Sequence, residues 1–143
     1  MEIIFHSALF INEYSIVALN SSFYIFGGYK SKISFYGMTR GIYSSVIASF
    51  STTTKRWEKL GYLNEARTVH GVIVHQGEFI IVGGYNENIR YLSTERCILS
   101  DDLVQCSTAG PKLQGYSYYP EMMLVSENFC SSHSQTEKTT TSV

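Results

Sequence analysis

Charge is scarce in this chain of 143 residues. Only 16% of them are Asp, Glu, Lys or Arg, where an average domain carries roughly 25%. The formal net charge is −1, so nucleic acid and anionic membrane surfaces find no electrostatic attraction here. No uninterrupted apolar run approaches the ~20 residues needed to span a bilayer, and no membrane span is expected. Helical periodicity is also missing. Its one candidate, a turn around Asn64–Arg67, is too short to stand alone as a helix. There is no H-E-x-x-H, P-loop or G-x-S-x-G motif, which removes the common signatures of metal, phosphate and acyl-transfer chemistry. The N-terminal MEIIFHSALFI has an acid where a signal peptide has a base, and His6 and Ser7 interrupt its apolar stretch. It reads as a strand, in a cytosolic chain or one whose true start lies upstream.

What the sequence does hold is aromatic residues, 14% of the chain with eleven Tyr and eight Phe, a composition that suits sheets. Glu78–Tyr85 reads EFIIVGGY and Ser22–Tyr29 reads SFYIFGGY. Each is a short apolar run stopped by a glycine pair, Gly27-Gly28 or Gly83-Gly84, which marks a buried strand with a glycine-dependent exit. At the 56-residue offset that superposes the pairs, Ser15 meets Gly71, Ile16-Val17-Ala18 meets Val72-Ile73-Val74 and Phe23 meets Phe79. Each unit starts with a strand (Ser15–Leu19; Gly71–His75), turns through Asn20-Ser21-Ser22 or Gln76-Gly77, and enters the glycine strand as a β-hairpin. Loops follow at Tyr29–Ser45 and Tyr85–Ser93. Third and fourth strands are expected at Val46–Phe50 and Arg56–Leu60, and again at Glu95–Leu99 and Leu103–Cys106. Four strands per ~50-residue unit make a propeller blade.

The expected organisation is two blades, 14–68 and 69–118. Residues 1–13 would be the last strand of a preceding blade or an extension, and 119–125 the first strand of a further one. Residues 126–143 read as a Ser/Thr-rich disordered tail. Propellers close with about four to eight blades, so further blades or self-association are needed to cover the open faces.

These residues resemble the kelch repeat family. The first unit shows YIFGG at Tyr24–Gly28, then Phe50, Thr54 and Trp57 as F-x-x-x-T-x-x-W, then Leu63, Arg67 and His70 before the second IIVGG. The likeness spans residues 14–125. The second unit departs from it, with Cys106 near the place of the Trp, and Tyr116 and Tyr119 in place of the Arg and His. The resemblance implies an all-β, kelch-type β-propeller segment of four-stranded antiparallel blades. It further implies a non-catalytic module that binds other proteins, with no cofactor. Two alternatives follow from the same resemblance: a fragment of a secreted sugar-oxidising, galactose-oxidase-type or carbohydrate-binding propeller, and a ubiquitin-ligase substrate adaptor if a BTB-type domain is attached. Copper-radical oxidation needs His and Tyr ligands converging on one site, and of the four histidines His70 alone falls near the propeller axis.

The cysteines and the loops carry the remaining candidates. Asp101-Asp102 fits a two-residue hairpin turn, and counting outward places Cys97 opposite Cys106 at a non-hydrogen-bonded rung. There Cα atoms approach to about 4.5 Å, the short end of the disulfide range. The pair is either a bridge or two small buried hydrophobes, and zinc would lack two further ligands. A bridge implies an oxidising compartment, and the glycosylation sequon at Asn20, on a hairpin tip, also points to secretion. Cys130 is left over in the tail. Arg67 is either a carboxylate-recognising donor or, with His70, a tie between blades through backbone carbonyls. Lys30, Tyr36, Arg40, Tyr43, Tyr85, Asn86, Asn88 and Arg90 are expected on one face with Arg67, as a partner-binding set of the kind found in hot spots. Trp57 reads as a packing anchor.

Overall fold

The computed structural model describes residues 13–33, 39–87, 89–110 and 112–115. Among them are twelve strands and no helix. In chain order these are β1 (Ser15–Leu19), β2 (Ser22–Phe26), β3 (Tyr29–Ile33), β4 (Thr39–Tyr43), β5 (Val46–Ser51), β6 (Arg56–Tyr62), β7 (Gly71–His75), β8 (Glu78–Val82), β9 (Tyr85–Asn86), β10 (Ile89–Arg90), β11 (Thr94–Ser100) and β12 (Leu103–Thr108). The opening strand, the strand at Glu121–Val125, the tail with Cys130, and Tyr36, Asn88, Tyr116 and Tyr119 lie outside the described residues.

Each repeat unit folds as a four-stranded antiparallel blade, β1-β2-β5-β6 and β7-β8-β11-β12. Two-residue turns set the registers. Gln76 and Gly77 have φ of 51° and 79°, and Asp101 and Asp102 have 47° and 62°. Positive φ at both central residues is the turn whose twist matches the strands it joins.

The blades pack face to face. Period-2 alternation sends Val17, Leu19, Tyr24 and Phe26 from blade one, and Val72, Val74, Phe79 and Ile81 from blade two, into a shared core. The Phe79 ring lies 4.8 Å from Tyr24 and 5.1 Å from Phe26, centroid to centroid. Burying one such side chain is worth roughly 1.5–3 kcal/mol, so this layer dominates the joint. A bulge between Ile47 and Ala48 leaves Leu60 without a rung partner in β6, and Leu60 is buried in the core. The outer strands meet once, in a parallel bridge between Gly61 and Val104. A Cβ on Gly61 would stand 2.4 Å from the Val104 carbonyl oxygen, so only glycine allows that approach.

One feature differs from the sequence reading. The stretch after Gly28 is more than a loop, because β3 and β4 form a two-stranded ribbon with Tyr29 opposite Tyr43 and Lys32 opposite Arg40. Its sequence alternates small and charged residues, and none of its residues whose burial is described belongs to the core cluster. The second unit has a miniature counterpart, β9 with β10. The missing Trp also has a physical replacement. Trp57 pairs with Phe50 across β5 and β6, with ring centroids 5.2 Å apart. The same rung of blade two holds Cys97 and Cys106, joined by a disulfide with Cα atoms 4.1 Å apart.

Candidate functional site

The two ribbons leave the blades where the glycine pairs end β2 and β8, and the segment 67–70 runs beneath both exits. Gly28 N–H donates to the Arg67 carbonyl at 2.9 Å, while Thr68 and Tyr85 exchange backbone hydrogen bonds of 2.9 and 3.1 Å. The contact is too close for side chains. A Cβ on Gly27 would sit 2.4 Å from the Arg67 carbonyl oxygen, and one on Gly84 would sit 2.6 Å from that of Thr68. Both glycines also hold positive φ, 60° and 87°, which other residues adopt at a cost.

Arg67 is fully buried under this face. Its guanidinium donates to the Gly83 carbonyl at 2.8 Å and pairs with the Glu95 carboxylate at 2.6 Å, and it stacks on the Tyr91 ring at 4.6 Å. Burial pushes its pKa down from the ordinary arginine value, and the adjacent Glu95 opposes that shift. Glu95 is equally buried and accepts the backbone N–H groups of Asn64 at 2.8 Å and Glu65 at 3.2 Å. One ion pair therefore holds the connection between blades against the third strand of blade two. Arg67 lies buried under the face, its two terminal guanidinium nitrogens bonded to Gly83, Ser93 and Glu95, while its Nε has no hydrogen-bond partner among the described residues. Glu95 escaped the sequence reading. The available signal was an acid at the third-strand rung where blade one has Ala48, a position that alternation turns inwards.

His70 is buried as well, with its carbonyl accepting the Ser15 hydroxyl from the first strand of blade one. Desolvation, reinforced by the Arg67 charge, pushes its imidazole pKa down to about 3. It is neutral at physiological pH and fills space beside Gly27.

Above this layer lies a row of half-buried aromatic side chains. Tyr29 and Tyr43 meet at a 60° tilt across the first ribbon, 5.3 Å between centroids, and Tyr43 meets Tyr85 edge-on at 6.1 Å. The row thus crosses from blade one to blade two. Asn86 donates to the Ala66 carbonyl at 2.9 Å and to the Tyr91 hydroxyl at 2.5 Å, and Tyr91 donates to Glu65 at 3.2 Å. Burial, then Glu65, pushes the Tyr91 phenol up to about 12. Lys30 is half-buried on β3, Arg40 lies at the Lys32 rung of β4, and Arg90 is exposed at the Tyr85 rung of β10. Elsewhere, Asn20 is exposed at the β1–β2 turn. Glu95, Cys97 and Cys106 offer ligand atoms within 4.8 Å of one another. Both sulfurs are in the disulfide and the carboxylate is bonded to Arg67.

No family model matches the chain. Kelch-like protein 28 of Homo sapiens is 30% identical over 74 residues, which is 52% of this chain and 13% of that protein. The Mus musculus protein of the same name gives the same identity and coverage. Among solved structures, that of YjhT superposes with a TM-score of 0.53 at 15% identity, covering 71% of this chain and 39% of the YjhT chain. The match therefore takes in a small part of the curated relatives' length and well under half of the solved neighbour's.

Proposed function

We propose that the ribbon-bearing face of this kelch-type β-propeller segment binds another protein without catalysing a reaction on it. The observation that carries this reading is the Tyr29–Tyr43–Tyr85 row, which runs continuously across two repeat units. Tyrosine presents a large, rigid contact area with a polar tip, the make-up of an interface anchor. The layer beneath stiffens it, because Arg67, Glu95, Thr68 and the glycine exits fix where each ribbon leaves its blade. Preorganisation of that kind lowers the ordering cost of association. Lys30 and Arg90 add cationic positions on the same ribbons.

The test is site-specific photo-crosslinking in the native cell type. A crosslinker in place of Tyr43 or Tyr85 should trap a discrete protein, and one in place of Thr53, on the turn between β5 and β6, should not. With the crosslinker in place of Lys30 on the same ribbon, which should also trap the partner, Tyr43→Ala combined with Tyr85→Ala should cut capture at least tenfold while the chain stays folded. Equal capture from Thr53, or unchanged capture by the double variant, refutes the assignment of this face.

A further inference from the structure

Each blade has a second broad face that the other blade does not cover. On blade one it carries Ile16 and Phe23, 54% and 42% exposed, together with the Phe50–Trp57 pair. On blade two it carries Ile73, Ile80 and Ile98, the last 48% exposed. The repeat shows what these faces fit. At the 56-residue offset, Ile73 and Ile80 occupy the positions of Val17 and Tyr24, which face blade two in the core. Conversely, Ile16 and Phe23 occupy the positions of Val72 and Phe79, which face blade one. The open face of blade two is thus a repeat of the surface that already accepts a blade, and the open face of blade one repeats the surface that is accepted.

We propose that the occupant of each open face is a second copy of this chain, joined head to tail, with blade one of one copy seated on blade two of the next. The charge distribution supports a copy as the occupant. Residues 14–57 hold five Lys or Arg and no acid, while the rest of the chain holds six cations and twelve acids. Lys55 and Arg56 stand exposed at the β5–β6 turn, and Asp101 and Asp102 stand exposed at the matching β11–β12 turn. A head-to-tail joint brings these oppositely charged ends together, whereas a face-to-face dimer of two identical blades brings like charges together. Glu78 and Arg96, on the open face of blade two, pair with each other and bring no unbalanced charge. A heterologous joint of this kind closes into a ring when its rotation permits.

The experiment is light scattering of the full chain, wild type and two variants, with circular dichroism to confirm that each is folded. Phe23→Asp blocks only the open face of blade one, and Ile80→Asp only that of blade two. Wild type should give one discrete oligomer, and each variant alone should fall to the mass of a single chain. An equimolar mixture of the two variants should form a dimer and go no further, because one good face remains on each. A monomeric wild type at about 100 μM overturns the proposal, including a monomer that is covered only by blades of another polypeptide. Dimers formed by either folded variant alone would mean a face-to-face joint and overturn it equally. A wild-type oligomer whose mass neither substitution changes would also overturn it.

Discussion

Cys106 occupies in blade two the rung that Trp57 occupies in blade one. Trp57 pairs with Phe50 across its strand pair and Cys106 with Cys97 across the equivalent one, so the same cross-strand position is closed once by aromatic contact and once by a covalent bond. Phe50 and Trp57 lie on the uncovered side of blade one. Cys97 is fully buried in the core between the blades.

Reducing the bridge, or replacing both cysteines with valine, should therefore cost blade two chiefly its loop-closure term. With a sequence separation of 9, chain entropy puts that at about 2.5 kcal/mol. Urea denaturation with and without reductant measures it. An unchanged midpoint would show that the bridge does not restrict the unfolded chain.

Arg67→Met should be far more damaging than its position in a connecting segment indicates. It leaves the Glu95 carboxylate buried without its cation, a change that typically costs about 3–5 kcal/mol. Pairing it with Glu95→Gln should recover part of the loss, since the amide oxygen can still accept from Asn64 N–H. A double-mutant cycle in denaturant reads both effects, and purely additive losses would show that the two groups are not coupled.

Acid should weaken the fold through His70. In the unfolded chain its imidazole protonates near pH 6.5, whereas in the fold that step is held down to about pH 3. The full contribution is present above pH 6.5 and is lost as pH falls towards 3. Between pH 6.5 and 5 the loss is about 2 kcal/mol from this group. Comparing wild type with His70→Gln across that window isolates it, and parallel curves would exclude His70 as the source.

Gly61→Ala should open the outer edge of the joint. The new Cβ would meet the Val104 carbonyl at 2.4 Å, so β6 and β12 must separate. A drop of about 1–3 kcal/mol is expected from forced overpacking, with faster hydrogen exchange at Gly61 and Val104. Exchange left unchanged at both would show that this bridge carries no load.

The blade strands were legible because their signals are local. Alternation fixed Ser15–Leu19 and Gly71–His75 to the residue, and counting from Asp101-Asp102 placed Cys97 against Cys106. What escaped depends on the approach of segments distant in sequence. Glu95 reads as an ordinary polar strand residue until the turn at Asn64–Glu65 folds over it. Gly61 falls just past the expected strand Arg56–Leu60, and its role depends on the arrival of Val104 beside it. The β3–β4 ribbon was hidden for another reason: its sequences, YKSKI and TRGIY, carry small and charged residues and no hydrophobic stripe announces them.

Arg67 belongs by its main chain to the exit of blade one and by its side chain to blade two. Neither half can melt while leaving that residue satisfied, because loosening either one strands a guanidinium or a carboxylate in a dry place. The pair should consequently unfold as one thermodynamic unit, with a single heat-absorption peak rather than two. Repeat number then ceases to measure the cooperative size of this module, and damage in one blade becomes damage to both.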